Sequence, residues 1–294
     1  EDTVRHRTAL LGPLHPYTLT TRSHFARDLR ELGEYDDSLR ILQEVQELFG
    51  QVLDPYVPEV LQVDKSLAVS LRRAGRHQEA LRLSEQTWQT HARSRDRYGR
   101  SVPAELACGL NLGADYLATD PDQGARRAVQ QVTDVLEGYR NSFGPEHPFT
   151  MFCINNLATY HRALGDTAKA AQLAEEAQSA LAATLGTGHP ATLSAGTSLA
   201  NALADLGRVE EAEHWERLAV TGLRKRLGPT HPDTLSSMAN LAIILRDLGR
   251  DTEATRLHQE AETELIQRLG GTHPLSEATI TWRRIDRDLE PQQG

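Results

Sequence analysis

One block of sequence returns every 42 residues: Leu-Gly-x-x-His-Pro, an apolar run, a Gly, and then Glu-Ala. Copies of the His-Pro pair stand in register at His147-Pro148, His189-Pro190, His231-Pro232 and His273-Pro274, with an earlier one at His15-Pro16. A period of this length predicts a stack of small structural units, each burying its apolar face against the next. The functional question then shifts from catalytic residues to what such a stack could hold.

The register is tightest in the first half of each block. The interval from Pro16, Pro58, Pro103, Pro148, Pro190 and Pro232 to Gly33, Gly75, Asp120, Gly165, Gly207 and Gly249 is always 17 residues. Pro suits the first position of a helix, where its missing N–H costs nothing, and Gly suits the residue just past the end. The second half ends in Leu-Gly at Gly186, Gly228 and Gly270, and its length varies. Three extra residues fall in the second helix, or in its exit, in the blocks that open at Leu53 and Tyr98. Helical period runs through both halves, for example Leu157, Tyr160, His161 and Leu164, then Leu173, Ala177, Leu181 and Leu185. Alternating strand patterns are absent from the sequence, so the fold expected is all-α, a run of helix hairpins.

Composition narrows the function. The formal charge of −9 argues against nucleic-acid and anionic-membrane binding, and no apolar run approaches the length of a membrane span. Only Lys65, Lys169 and Lys225 among the 32 basic residues are Lys, a bias that suggests a GC-rich bacterial genome. Cys108 and Cys153 sit 45 residues apart at one phase of successive blocks. Adjacent packed helices are too far apart for a disulfide at equivalent positions. Two reduced, packing cysteines and a cytoplasmic location are therefore expected.

The segment Asn155-Asn156-Leu157-Ala158-Thr159-Tyr160, followed by Gly165 and Ala170, resembles the tetratricopeptide repeat in its 42-residue, kinesin-light-chain-like form. Asn240-Leu241-Ala242 with Gly249 and Ala254, and Asn111-Leu112-Gly113 with Tyr116 and Ala125, repeat the resemblance. It implies a right-handed α-solenoid of about six hairpins opening near residues 11, 53, 98, 143, 185 and 227. Residues 1–10 would be the remnant of a preceding helix, residues 270–289 a capping helix and residues 290–294 a tail. A narrower similarity, carried by Phe143-Gly144-Pro145-Glu146-His147-Pro148 and by the ending from Trp282 to Pro291, is to the repeat proteins of bacterial FxSxx-COOH peptide systems. It implies a role in maturation of a ribosomal peptide.

Catalysis and cofactor binding are not expected. Walker A, HExxH, CxxC and dinucleotide glycine motifs do not occur in the sequence. The five His-Pro histidines fall at least one rung apart, too far to share a metal ion, and are expected to cap helix starts. The resemblance implies instead that the first helices line a concave groove that takes a protein or peptide partner. Carried over block by block, its groove positions include Arg27, Arg30, Lys65, Arg72, Arg73, Leu110, Phe152, Asn155, Asn156, Arg162, Asn201, Asp205, Asn240, Arg246 and Asp247. Arg grips carboxylates with paired hydrogen bonds and Asn serves a peptide as donor and acceptor. An extended partner segment, acidic or ending in a carboxylate, is therefore expected. The other role considered is a sensor or regulatory arm of a larger nucleotide-binding signalling protein.

Overall fold

The computed structural model describes residues 2–99 and 102–291. Its regular elements are fourteen α-helices: α1 (Asp2–Leu11), α2 (Pro16–Glu31), α3 (Tyr35–Val52), α4 (Pro58–Arg73), α5 (His77–Tyr98), α6 (Val102–Thr119), α7 (Pro121–Phe143), α8 (Pro148–Ala163), α9 (Thr167–Leu185), α10 (Pro190–Asp205), α11 (Val209–Leu227), α12 (Pro232–Asp247), α13 (Asp251–Leu269) and α14 (Pro274–Ile280). None of these helices is long and apolar enough to cross a membrane.

The described residues divide into two compact units, 2–120 and 121–291. In the first, α2 packs on α3, α4 on α5, and neighbouring hairpins meet through α3 with α4 and α5 with α6. Its core gathers Leu19, Leu39, Leu42, Val45, Phe49, Val63 and Leu67. In the second, successive helices from α7 to α14 pack in order. The core at its C-terminal end joins Leu235, Met238, Leu241, Leu245, Leu257 and Leu265 with Ile285.

The fixed interval of the sequence is a helix of fixed length in five of the six hairpins; α6, where Asp120 stands in place of the glycine, has 18 residues instead. The helices α2, α4, α8, α10 and α12 each have 16 residues. Four of these five begin with a capping His whose Nδ1 accepts the N–H two residues on, at Tyr17, Phe149, Ala191 and Asp233; α14 begins the same way, with His273 accepting from Leu275. The bond satisfies one of the N–H groups that a helix start leaves without partners. It also fixes the imidazole with Nδ1 unprotonated. Each of these turns is therefore a structural cap. The three extra residues lengthen the second helices: α5 has 22 residues and α7 has 23, against 19 in α9, α11 and α13. Cys108 and Cys153 are free and buried, and burial pushes the Cys108 thiol up to about 12.

The last helix departs from the sequence expectation of a cap running to residue 289. It stops at Ile280, after two turns. The Trp282 N–H bonds to the Thr279 carbonyl at 2.9 Å and the Arg283 N–H to the Ala278 carbonyl at 2.8 Å, the pattern that ends a helix through a left-handed residue. At Gly249 that residue is a glycine with φ +72°; here it is Trp282 with φ +53°. Its indole is held by two neighbours that repay the steric cost. The His258 ring stacks on it at 3.7 Å and the Arg246 guanidinium lies 4.4 Å from its centre. Residues 283–291 beyond it are not helical.

Burial and the nearby Arg226 hold the His189 imidazole below its ordinary value of 6.5. The unfolded state therefore takes up a proton first as pH falls, so this cap's contribution is complete above about 6.5 and fades below it. His189→Ala should lower unfolding free energy by about 1 kcal/mol at pH 7.5. In urea titrations the gap between wild type and variant should narrow as pH is lowered to 5.5.

Candidate functional site

The Asn residues of three first helices converge on the chain's own C-terminal segment. Asn240 on α12 meets Ile285 with both ends of its amide: its Nδ2 donates to the Ile285 carbonyl and its Oδ1 accepts the Ile285 N–H, each at 2.8 Å. Asn156 on α8 does the same at Leu289, at 2.9 and 2.8 Å. Between them Asn201 on α10 donates to the Ile285 carbonyl and to Asp286 Oδ1, both at 3.0 Å. A side-chain amide used in this way replaces a neighbouring strand, since it offers one donor and one acceptor to the same residue. These amides are buried, so each would be costly without a partner.

Charges pair along the same face. Arg162 bonds to Asp286 and, at 2.9 Å, to Asp205. Arg284 reaches Asp205 at 2.6 Å and Asp247 at 3.0 Å, and Arg287 bonds to Asp233. Ile285 and Leu289 are buried, while Arg283 is exposed. The segment therefore presents two apolar anchors, one acid and two bases to a face that answers each of them.

The other expected groove residues divide by unit. In the first unit Arg72 is buried and bonds to Asp115 of α6 at 2.6 Å, while Ser84 of α5 donates to the other Asp115 oxygen at 2.5 Å. Arg30 is also buried and donates to the Ser66 carbonyl and to Ser70 Oγ. These two charges join neighbouring helices inside the unit rather than lie open along it. Lys65 and Leu110 are buried, and Arg27 and Arg73 are half-buried. In the second unit Phe152 is buried with its ring 6.0 Å from that of Phe149, and Arg246 covers Trp282. Asn155 is fully buried, and neither its Nδ2 nor its Oδ1 meets a hydrogen-bond partner.

Glu216 on α11 lies outside the sequence-derived site. It is fully buried, and its Oε1 accepts hydrogen bonds from Thr197 of α10 and Ser237 of α12, while Oε2 has no partner. Burial raises its carboxyl to about 8, against the two hydroxyl hydrogen bonds that lower it; the nearby Asp286 raises it and Arg284 lowers it. At neutral pH it is a neutral acid beneath the charged segment. A sequence signal for it exists. The residue nine past the hairpin glycine is Leu42 or Ala174 in two repeats but Ser84, Glu216 and His258 in three others. Each of these three polar residues bonds to another side chain or to a carbonyl in its own unit.

The sequence profile of the tetratricopeptide repeat family matches residues 17–88, 105–183 and 190–263. No curated protein matches the chain. Among solved structures it is similar to the nearly identical repeats of a Podosopora anserina protein assigned as a kinesin light chain, with 27% identity over 73% of this chain and 98% of that one, at a TM-score of 0.53. It is also similar to the Rap conjugation gene regulator of plasmid pLS20 in complex with the Phr* peptide, with 14% identity over 95% and 75% of the chains and a TM-score of 0.68. NprR in complex with its cognate peptide NprX has 14% identity over 88% and 70%, at 0.65. At these last identities the likeness is one of fold.

Two outcomes follow from the buried charges. Arg72→Ala strands Asp115 in the interior and should lower unfolding free energy by about 3–5 kcal/mol in urea titrations. Removing both partners in Arg72→Ala with Asp115→Ala should recover part of that loss. The Glu216 carboxyl is raised in the folded state, so the stability it contributes is full below about 4.5 and falls as pH rises to about 8. Glu216→Gln, an uncharged mimic of the protonated acid, should raise the melting temperature at pH 8.5 and change it little at pH 5. With its matched repeats, its helix hairpins and their shared capping turns, the chain belongs to the tetratricopeptide repeat family.

Proposed function

We propose that the chain is a non-catalytic binding scaffold whose second unit holds an extended polypeptide segment along the face of α8, α10 and α12. The observation that carries this reading is the paired use of Asn156 and Asn240, each bonding both the N–H and the carbonyl of one residue in a non-helical segment. Such bonds read backbone, so they accept any sequence that can lie extended, while the flanking charges choose among sequences. The peptide complexes of the Rap regulator and of NprR lend support from proteins of similar fold.

The expectation of an acidic partner finds support at one point only, where Arg162 holds Asp286. Asp205, Asp233 and Asp247 each hold an Arg on the same face. The partner proposed is therefore a segment of alternating charge. Binding to a precursor peptide of the kind implied by the sequence resemblance is part of this proposal.

The test is one of location. A peptide of alternating charge with a photoreactive group at its centre is cross-linked to the whole chain, and the products are mapped by mass spectrometry. Cross-links on α8, α10 and α12 are expected. Cross-links confined to α9, α11 and α13 would overturn the reading.

A further inference from the structure

Residues 284–290 hold the place that a partner segment would take. We infer that this segment is an intramolecular occupant of the binding face, and that the partner which displaces it carries the same pattern: Arg, a branched apolar residue, Asp, Arg, any residue, then Leu. The inference rests on the peptide-binding reading above and adds the chemistry of the ligand and the competition that controls its access.

Four observations carry it. The segment is bound as a ligand is bound, through both backbone groups of Ile285 and Leu289, by side chains of helices far from it in sequence. Its side chains are matched individually: Arg284 by Asp205 and Asp247, Asp286 by Arg162 and Asn201, and Arg287 by Asp233. Its charges stay in reach of solvent, because Arg284, Asp205 and Asp247 keep 18, 22 and 38% of their side-chain surface exposed, so water can compete for these ion pairs as the segment leaves. Its fit is also incomplete. Asn155 and Thr159 of α8 keep buried polar atoms that the segment does not meet, and a different occupant could satisfy them.

Trp282 sets the geometry that makes this possible. By ending α14 in a left-handed turn and stacking on His258, it redirects the chain from the helix onto the face of α8, α10 and α12. The occupant is tethered at one end, so it competes at a high local concentration. An external segment needs either a better fit or a high concentration of its own.

The experiment uses the whole chain and a fluorescein-labelled synthetic peptide with the sequence of residues 282–291. Binding is followed by fluorescence anisotropy for wild type and for Ile285→Ser with Leu289→Ser, with a scrambled peptide as control. The double variant should bind the peptide at least tenfold more tightly than wild type. Because Ile285 also packs in the core, Leu289→Ser alone provides a milder release and should show a smaller gain in the same direction. In wild type, hydrogen exchange at the Ile285 and Leu289 amides should quicken when the peptide is added in excess. Equal affinity for wild type and both variants, with the two amides still protected, would overturn the competition and leave the binding face standing. Absence of binding to every form, or equal binding of the scrambled peptide, would overturn both the competition and the reading on which it rests.

Discussion

The constraint on which everything else depends is the constant length of the first helix in every hairpin except that of α6. A proline at the first position and a left-handed glycine after the end define 16 helical residues in α2, α4, α8, α10 and α12. A helix of constant length rises by the same amount each time, so equivalent side chains on α8, α10 and α12 line up across the stack. That is why Asn156 and Asn240, at one position of their repeats, can bond residues 285 and 289 of a single extended segment. The second helices that alternate with them, α9, α11 and α13, are also equal, at 19 residues each.

The frame breaks once in the second unit, and the break produces the site. In α14 the left-handed turn comes after two turns of helix and falls on a Trp. A non-glycine residue in that conformation is sterically disfavoured. The indole recovers the cost between His258 and Arg246. The chain that would have completed a helix is released as backbone with unsatisfied N–H and carbonyl groups. The buried amides on α8, α10 and α12 supply the partners those groups require.

Charge inside the molecule follows the same accounting. Arg72 and Asp115 join α4 to α6 and are bound to each other before they could bind anything else. Glu216 avoids the cost of a buried charge by remaining protonated at neutral pH, fixed by two hydroxyl groups. Residues that look like binding chemistry in a list of groove positions thus serve two ends. Asn156, Asn201 and Asn240 meet the backbone of residues 285 and 289, whereas Arg30 and Arg72 hold helices together.

The sequence by itself determined the class of fold, the hairpin frame, the lengths of the helices other than α6 and α14, and the capping role of the His-Pro turns. These depend on local rules that repeat: Pro at a helix start, a left-handed residue at its end, apolar residues at helical period. It also placed Asn156, Arg162, Asn201 and Asn240 among the groove positions of the first helices, with Asn156 and Asn240 at one position of their repeats. The fate of residues 281–291 was not legible. Their composition is as compatible with a helix as with an extended strand, and the choice was made by contacts to Asn240, Asn201 and Asn156, which lie 45 to 133 residues away in sequence. The neutralisation of Arg72 by Asp115 is of the same kind. Local rules fix which residues are helical, but only the packed structure decides which buried polar group meets which, because that pairing joins distant parts of the chain.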